Sequence, residues 1–192
     1  MATRKVYLVR HGEYDWNDQP VPTKGLTPLG REQAQLTAQR LSSVPARAVY
    51  SSDLARAIET AELICSALGN VPYEQDRELR ECLLPSPAVS LKWPAERLEE
   101  GERQAESAFV KYVRPSDTDT RDIIVSHGNM IRYVTARVLG VSSSWCRMRT
   151  LNCGITEIDV ESDGTMWVVS YNDVGHLPAR LITSGMPAVS PA

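Results

Sequence analysis

Two short β-branched runs in this chain end in the same way. Val6-Tyr7-Leu8-Val9 passes into Arg10-His11-Gly12, and Ile123-Ile124-Val125 passes into Ser126-His127-Gly128. Each run suits a strand buried on both faces. Each closes with an imidazole, followed by the residue that lets a backbone turn sharply or approach a ligand. Ligands in open α/β sheets bind beyond the carboxyl ends of the strands. The repeated pattern therefore predicts a fold class and a site together.

The rest of the chain agrees with an alternation of strands and helices. Further strands are expected at Ala48–Tyr50, Ile155–Val160 and Met166–Tyr171, and Ser162-Asp163-Gly164 should turn the last two into a hairpin at one edge. Thr27-Pro28 supplies a cap and a first-position proline for a helix reaching about Leu41. Leu54, Ala57, Ile58, Ala61, Ile64, Cys65 and Leu68 form an apolar stripe that Gly69 terminates. Ala95–Val113 reads as an acidic helix facing solvent over much of its length, and Ile131, Val134, Thr135 and Val138 mark a fourth, closed by Gly140. The expected architecture is one three-layer α/β/α domain spanning 1–192, its sheet mostly parallel with an antiparallel edge hairpin. Pro85, Pro87 and Pro94 predict an irregular rim over about 82–103, and residues 183–192 read as a loosely tied tail.

Composition narrows the function. With 21 Lys+Arg against 24 Asp+Glu, the formal charge is −3, without the basic footprint that nucleic-acid binding needs. No stretch approaches the ~18 apolar residues of a membrane span, and Met1-Ala2-Thr3-Arg4-Lys5-Val6 has no signal-peptide core. These features predict a cytoplasmic protein that binds neither nucleic acid nor membrane. Cys65, Cys82, Cys146 and Cys153 form no Cys-x-x-Cys pair and read as reduced thiols. His11, His127 and His176 lack metal-ligand spacing, so no metal or other cofactor is expected. Trp16, Trp93 and Trp145 read as packing residues, with Trp93 in the stretch bordering the site; His176 reads as a rim or structural residue.

Arg56 gives an independent pointer. It lies off the apolar stripe, in a first helical turn where a cation opposes the helix dipole at a cost of ~0.3–1 kcal/mol. An anion bound at that helix end would offset the cost. The competing reading is a surface arginine paired with Asp53 or Glu59.

Taken together, Leu8-Val9-Arg10-His11-Gly12-Glu13, Leu26-Thr27-Pro28-Leu29-Gly30, Ser51-Ser52 with Arg56-Ala57 and Thr60-Ala61, Leu79-Arg80-Glu81 and Ser126-His127-Gly128 resemble the histidine phosphatase superfamily, with its phosphoglycerate-mutase-like fold. Within it, Arg56-Ala57-Ile58-Glu59-Thr60, Ile131-Arg132-Tyr133 and Leu151-Asn152-Cys153-Gly154-Ile155-Thr156 are most similar to a branch of mutase-like mitochondrial protein serine/threonine phosphatases. The chain departs from that branch in reading Arg-His-Gly in place of Arg-His-Ser.

The resemblance implies a metal-independent phosphatase in which His11 becomes phosphohistidine, with Arg10, Arg56 and His127 around the phosphate. It also implies Glu81 as proton donor and then base, with Asn17 and Gly128 contributing phosphate contacts. On sequence alone Glu13, Glu78 and Glu59 compete equally with Glu81. His11 must be neutral to attack, and Arg10 and Arg56 favour that form; His127 is expected to work as a cation. The partner is a phosphorylated substrate, a phosphoprotein (phospho-Ser/Thr or phosphohistidine) or a small molecule such as a sugar phosphate or nucleotide. Two other readings stand beside hydrolysis, a phosphoglycerate-type mutase and a noncatalytic phosphopeptide scaffold. The hairpin edge also permits a homodimer through sheet extension.

Overall fold

A computed structural model describes residues 2–15, 23–85, 92–142 and 147–184. Its sheet has six strands: β1 (Thr3–Arg10), β2 (Ala48–Ser51), β3 (Tyr73–Gln75), β4 (Thr120–Ser126), β5 (Ile155–Glu161) and β6 (Met166–Asp173). They lie side by side in the order β3-β2-β4-β1-β5-β6. The β3·β2, β2·β4 and β4·β1 pairings are parallel, and β1·β5 and β5·β6 are antiparallel. The mostly parallel sheet with an edge hairpin is thus present. One strand escaped the sequence reading: β3 has three residues, too few to show a period, and follows Pro72 at the opposite edge.

Among the described residues four helices cover the sheet: α1 (Pro28–Leu41), α2 (Ala55–Leu68), α3 (Ala95–Tyr112) and α4 (Gly128–Val138). Ala38 and Leu41 of α1 join Ala57, Ala61 and Ile64 of α2 against Val9, Val49, Ile123 and Val125 on one face. Ala105, Ala108 and Phe109 of α3 join Met130, Ile131 and Val134 of α4 against Val6, Leu8, Ile124 and Ile158 on the other. The alternation of β1 is visible here: Val6 and Leu8 serve one core, while Val9 serves the other. α3 exposes most of its acidic side but buries Leu98, Gly101, Ala105, Ala108, Phe109 and Tyr112.

Local chemistry fixes the helix ends. Thr27 Oγ1 accepts the Gly30 N–H at 3.0 Å, a cap of the kind worth about 1 kcal/mol. α2 has no side-chain cap and no acidic residue in its first turn. Gly69 ends that helix at φ 81°, a conformation that glycine adopts without steric cost. At the end of the sheet away from the histidines, the buried Asp122 carboxylate takes Arg4 at 2.6 Å and Arg47 at 2.8 Å, pinning β1, β4 and the approach to β2.

Two sequence expectations need correction. Residues 183–184 are not loosely tied. Thr183 Oγ1 donates to Asn152 and accepts from Gln33, and the Ser184 carbonyl accepts from Arg10. Buried polar groups, which apolar patterning ignores, hold this segment. Trp93 is 44% exposed rather than packed. Trp16, Trp145, Cys146 and residues 185–192 lie outside the described residues.

Candidate active site

Register brings the two histidines together. β1 and β4 are adjacent and parallel, and Arg10 lies opposite Ser126. The next residue on each strand is therefore a histidine at the same level of the sheet edge, and the His11 N–H donates to the Ser126 carbonyl at 3.0 Å. The ring centroids are 5.0 Å apart, inclined at 59°. Both side chains are buried, His11 at 2% exposure.

Their hydrogen bonds define their tautomers. His11 Nδ1 is 2.7 Å from the Gly12 carbonyl oxygen, which can only accept, so Nδ1 carries the proton. The lone pair is then on Nε2, which accepts from Arg56 Nε at 3.2 Å. His127 is wired the other way. Its Nδ1 accepts from Arg56 Nη2 at 3.3 Å, and its Nε2 donates to Ser52 Oγ at 2.9 Å. Burial holds His11 well below the usual imidazole range, reinforced by His127, Arg56 and Arg10. Burial does the same for His127, with Arg56, Arg10 and Arg80 adding to it. Without phosphate, burial and the nearby guanidinium groups hold both rings toward the neutral form; the cation expected of His127 is the form that a bound dianion favours.

Arg56 is 3% exposed and belongs to the site rather than the surface. The proposed surface partners are engaged elsewhere, Asp53 with Arg80 at 2.5 Å and Glu59 with Arg31 at 2.6 Å. Tyr14 was missed in the sequence. Its ring meets His11 edge-on at 5.2 Å, and the Arg56 guanidinium stacks over it at 4.5 Å. Its position three residues after the histidine was the only available signal. Arg10 spends Nη1 on the Thr150 and Ser184 carbonyls, at 2.5 and 2.7 Å, while its Nε is buried without a partner. An unpaired buried donor on a guanidinium carries a desolvation cost that an anionic acceptor removes. Gly128 opens α4 where a Cβ would meet Thr150 Oγ1 at 2.7 Å, so only glycine lets the Arg10–Thr150 layer close over the helix.

Glu81 reaches the site through a chain of anchors. Ser126 Oγ donates to the Leu79 carbonyl, and Gln104 donates to the Glu78 and Arg80 carbonyls. One Glu81 oxygen accepts the Asn129 N–H in the first turn of α4 at 3.0 Å. The residue is exposed to solvent. Even so, the surrounding protein desolvates its carboxyl and raises its pKa above the ordinary value, against the lowering pull of the Asn129 N–H, Arg10 and Arg56. The rival carboxylates are committed elsewhere: Glu13 to Thr27, Glu59 to Arg31 and Glu78 to Ser107. Ser52 and Asn152 also escaped assignment; Asn152 Nδ2 donates to the His11 carbonyl at 3.1 Å. His176 Nε2 lies 2.9 Å from Thr37 Oγ1. Asn17 lies outside the described residues. Among the described residues no group of three or more His, Cys, Asp or Glu is arranged to hold a metal, and no helix is long and apolar enough to cross a membrane.

A crossed-over α/β/α sheet presenting two histidines and two arginines at its carboxyl edge defines a phosphate-handling class. The chain belongs to the histidine phosphatase superfamily: the family model for its branch 1 matches residues 6–86 and 84–174. It is 34% identical over 194 residues to the mitochondrial serine/threonine-protein phosphatase PGAM5 of Rattus norvegicus, covering 95% of this chain and 67% of that protein. The Caenorhabditis elegans counterpart is 36% identical over the same shares. The chain spans about two thirds of the length of these relatives. Among solved structures, Bacillus stearothermophilus YhfR superposes with a TM-score of 0.76 at 27% identity, over 90% of this chain and 98% of that one. A phosphoserine phosphatase of Entamoeba histolytica, at 22% identity, shares the fold with a TM-score of 0.69, over 91% and 100%. The curated relatives overturn the cytoplasmic placement, because they are named mitochondrial in rat, human and nematode.

Proposed function

We propose that this chain hydrolyses phosphate monoesters of proteins, with His11 as nucleophile and its own guanidinium groups neutralising the phosphoryl oxygens. The observation that carries the reading is the His11 tautomer: Nδ1–H is tied to the Gly12 carbonyl, and the Nε2 lone pair faces Arg56. An imidazole built only for packing would not need two cations beside its free lone pair. The unpaired Arg10 Nε adds a donor that an anion would satisfy. The PGAM5 relatives, named serine/threonine-protein phosphatases, support a phosphoprotein substrate.

The chemistry runs in two displacements. His11 Nε2 attacks phosphorus; the bond to the ester oxygen breaks, and that oxygen takes a proton from Glu81. The product is an Nε2-phosphohistidine and a free alcohol. Glu81, now a carboxylate, takes a proton from water, which attacks the phosphohistidine and releases phosphate, restoring His11 neutral and Glu81 protonated. Positioning and charge neutralisation supply most of the acceleration in such transfers. Arg56 must exchange its two imidazole acceptors for phosphate oxygens, and Tyr14, stacked beneath it, must shift with it to open the buried His11. A dianion at that point also raises the His127 pKa, so the second histidine gains its proton when the charge it serves arrives.

The test is hydrolysis of p-nitrophenyl phosphate in EDTA, followed by rapid acid-free quench and labelling. The expected result is turnover with a phosphoenzyme that is lost in acid and absent from His11→Ala. Turnover persisting in His11→Ala overturns the assignment.

A further inference from the structure

The mechanism places a demand on His11 that changes when substrate arrives. Without phosphate, Arg56 donates to Nε2 and so favours the tautomer with its proton on Nδ1. Once Arg56 turns to phosphoryl oxygens, a proton on Nε2 would gain a phosphate oxygen as acceptor, and the ring would lose the lone pair it attacks with. The Gly12 carbonyl, 2.7 Å from Nδ1, is then the group that keeps the proton on the other nitrogen. Its grip depends on how firmly its own peptide plane is held.

That plane is the Gly12–Glu13 peptide, and α1 holds it. The Glu13 N–H, on the opposite edge of the plane from the Gly12 carbonyl, donates to Gln33 Oε1 at 2.8 Å. The Glu13 carbonyl accepts the Thr27 N–H at 3.0 Å, just before α1 begins. The preceding His11–Gly12 plane is fixed separately: its N–H donates to Thr60 Oγ1 at 3.1 Å, and its carbonyl accepts from Asn152. α1 lies so close that a Cβ at Gly12 would strike the Gly30 carbonyl, and one at Gly30 the Glu13 carbonyl.

Gln33 is fully buried, and its amide can sit only one way. The Glu13 N–H needs an acceptor, while the Leu181 carbonyl at 2.6 Å needs a donor, so Oε1 faces Glu13 and Nε2 faces Leu181 and Thr183. Fastening the Leu181–Thr183 stretch accounts for the Nε2 half alone, and that stretch has other anchors. The Asn152 N–H donates to the Thr183 carbonyl at 2.9 Å, and Leu181 packs with Leu26, Ala34 and Leu177. The Oε1 half goes to the turn that carries the nucleophile. A peptide whose N–H is bonded in this way is polarised toward a stronger acceptor at its carbonyl. We propose that Gln33 is a positioning residue for the nucleophile: through the Gly12–Glu13 peptide it keeps His11 in the Nδ1–H tautomer while phosphate occupies the site. This rests on the reading of His11 as nucleophile and adds the residue that sets its reactive nitrogen.

The experiment records the nitrogen NMR spectrum of histidine-labelled enzyme at neutral pH in saturating inorganic phosphate, beside rapid-quench labelling with p-nitrophenyl phosphate. The wild type should show His11 protonated on Nδ1 alone. Gln33→Met, similar in length and apolar, should show an Nε2–H signal and form phosphoenzyme about tenfold more slowly, the scale on which partners that orient a working imidazole act. Its KM should stay within about twofold, because Arg10 and Arg56 are untouched. Gln33→Glu keeps an oxygen for the Glu13 N–H and, protonated in this dry interior, a donor for the Leu181 carbonyl. It should regain the Nδ1–H form and the rate, although it lacks the second donor to Thr183 and so melts below the wild type. A wild-type spectrum and rate in Gln33→Met overturn the proposal, as does a loss shared equally by both variants with the tautomer unchanged. If Gln33→Met does not fold, the wild type decides. The scalar coupling across the Glu13 N–H···Oε1 bond and the Nδ1–H form in phosphate together support the proposal, and absence of either overturns it. The spectra need no turnover. A wild-type chain that forms no phosphoenzyme overturns the phosphatase reading even where the spectra follow Gln33; an active chain whose His11 ignores Gln33 overturns this inference alone.

Discussion

At the end of β1, His11 gives its Nδ1 proton to a backbone carbonyl and turns a lone pair toward Arg56. At the end of β4, one strand away, His127 gives its Nε2 proton to the Ser52 hydroxyl and takes a hydrogen bond from the same arginine on Nδ1. The two exits are near-copies in sequence, yet their imidazoles are tied by opposite nitrogens. A carbonyl is a fixed acceptor, so His11 is locked as a nucleophile. Protonation of His127 would add its proton at Nδ1, so it requires Arg56 to move off that nitrogen while the Nε2–H bond to Ser52 persists. One residue type in one strand context is thus given two roles by the nearest oxygen.

The largest test of that difference compares the two alanine variants. His11→Ala is expected to lose more than ~10⁴-fold in kcat and to form no phosphoenzyme, the scale on which removal of a nucleophile acts. His127→Ala is expected to lose ~10²–10³-fold, as for loss of one charge-stabilising donor, while still accumulating phosphohistidine. Rapid-quench labelling distinguishes them; if neither variant labels, the division of roles is wrong. Next in size is Glu81→Gln, expected to cost ~10²–10⁴-fold on a phosphoserine peptide. The loss on p-nitrophenyl phosphate should be smaller, because its leaving group departs with little need of a proton.

The pH profile sharpens the same contrast. His11 is active when neutral, and its pKa lies well below the usual value, so the acid limb of kcat/KM should fall below the range of an ordinary histidine near 6.5. Glu81 is active as the acid, and its raised pKa sets the alkaline limb. Activity should therefore be highest between these two limbs, and Glu81→Gln should flatten the alkaline one. An alkaline limb that is unchanged in Glu81→Gln contradicts this pairing of roles.

Much of this was readable before any coordinates. β-branched runs and glycine stops located five of the six strands, and the strand–His–Gly exits pointed to the site, because buried strands and tight exits leave strong local patterns. What stayed hidden was set by contacts between distant residues. Nothing local shows that Asp53 would take Arg80 while Arg56 turns to the two histidines. Nothing in Asn152 or Thr183 announces that they meet His11 and Gln33 across the fold. The neutral form of His127 in the phosphate-free site was hidden for the same reason: it depends on how many guanidinium groups share its dry surroundings, which only packing decides.

The smaller effects come from the partners of each ring. Ser52→Ala removes the Nε2 acceptor of His127 and is expected to cost about tenfold in kcat, with phosphoenzyme formation at His11 retained. The last prediction concerns the strut behind His11. Asn152 Nδ2 donates to the His11 carbonyl, Asn152 Oδ1 accepts from Thr183 Oγ1, and Gln33 Nε2 donates to Thr183 Oγ1 and to the Leu181 carbonyl. Asn152→Ala should lose a buried hydrogen bond at ~1–3 kcal/mol, a fall of several degrees in Tm for a chain of this length, with a few-fold lower kcat. Asn152→Asp separates support from mere packing. It turns an acceptor toward the His11 carbonyl and places a negative charge near the ring, which favours protonated His11. The acid limb should then move to higher pH, as it should not in Asn152→Ala; a shift of equal size in both variants would assign Asn152 to packing alone.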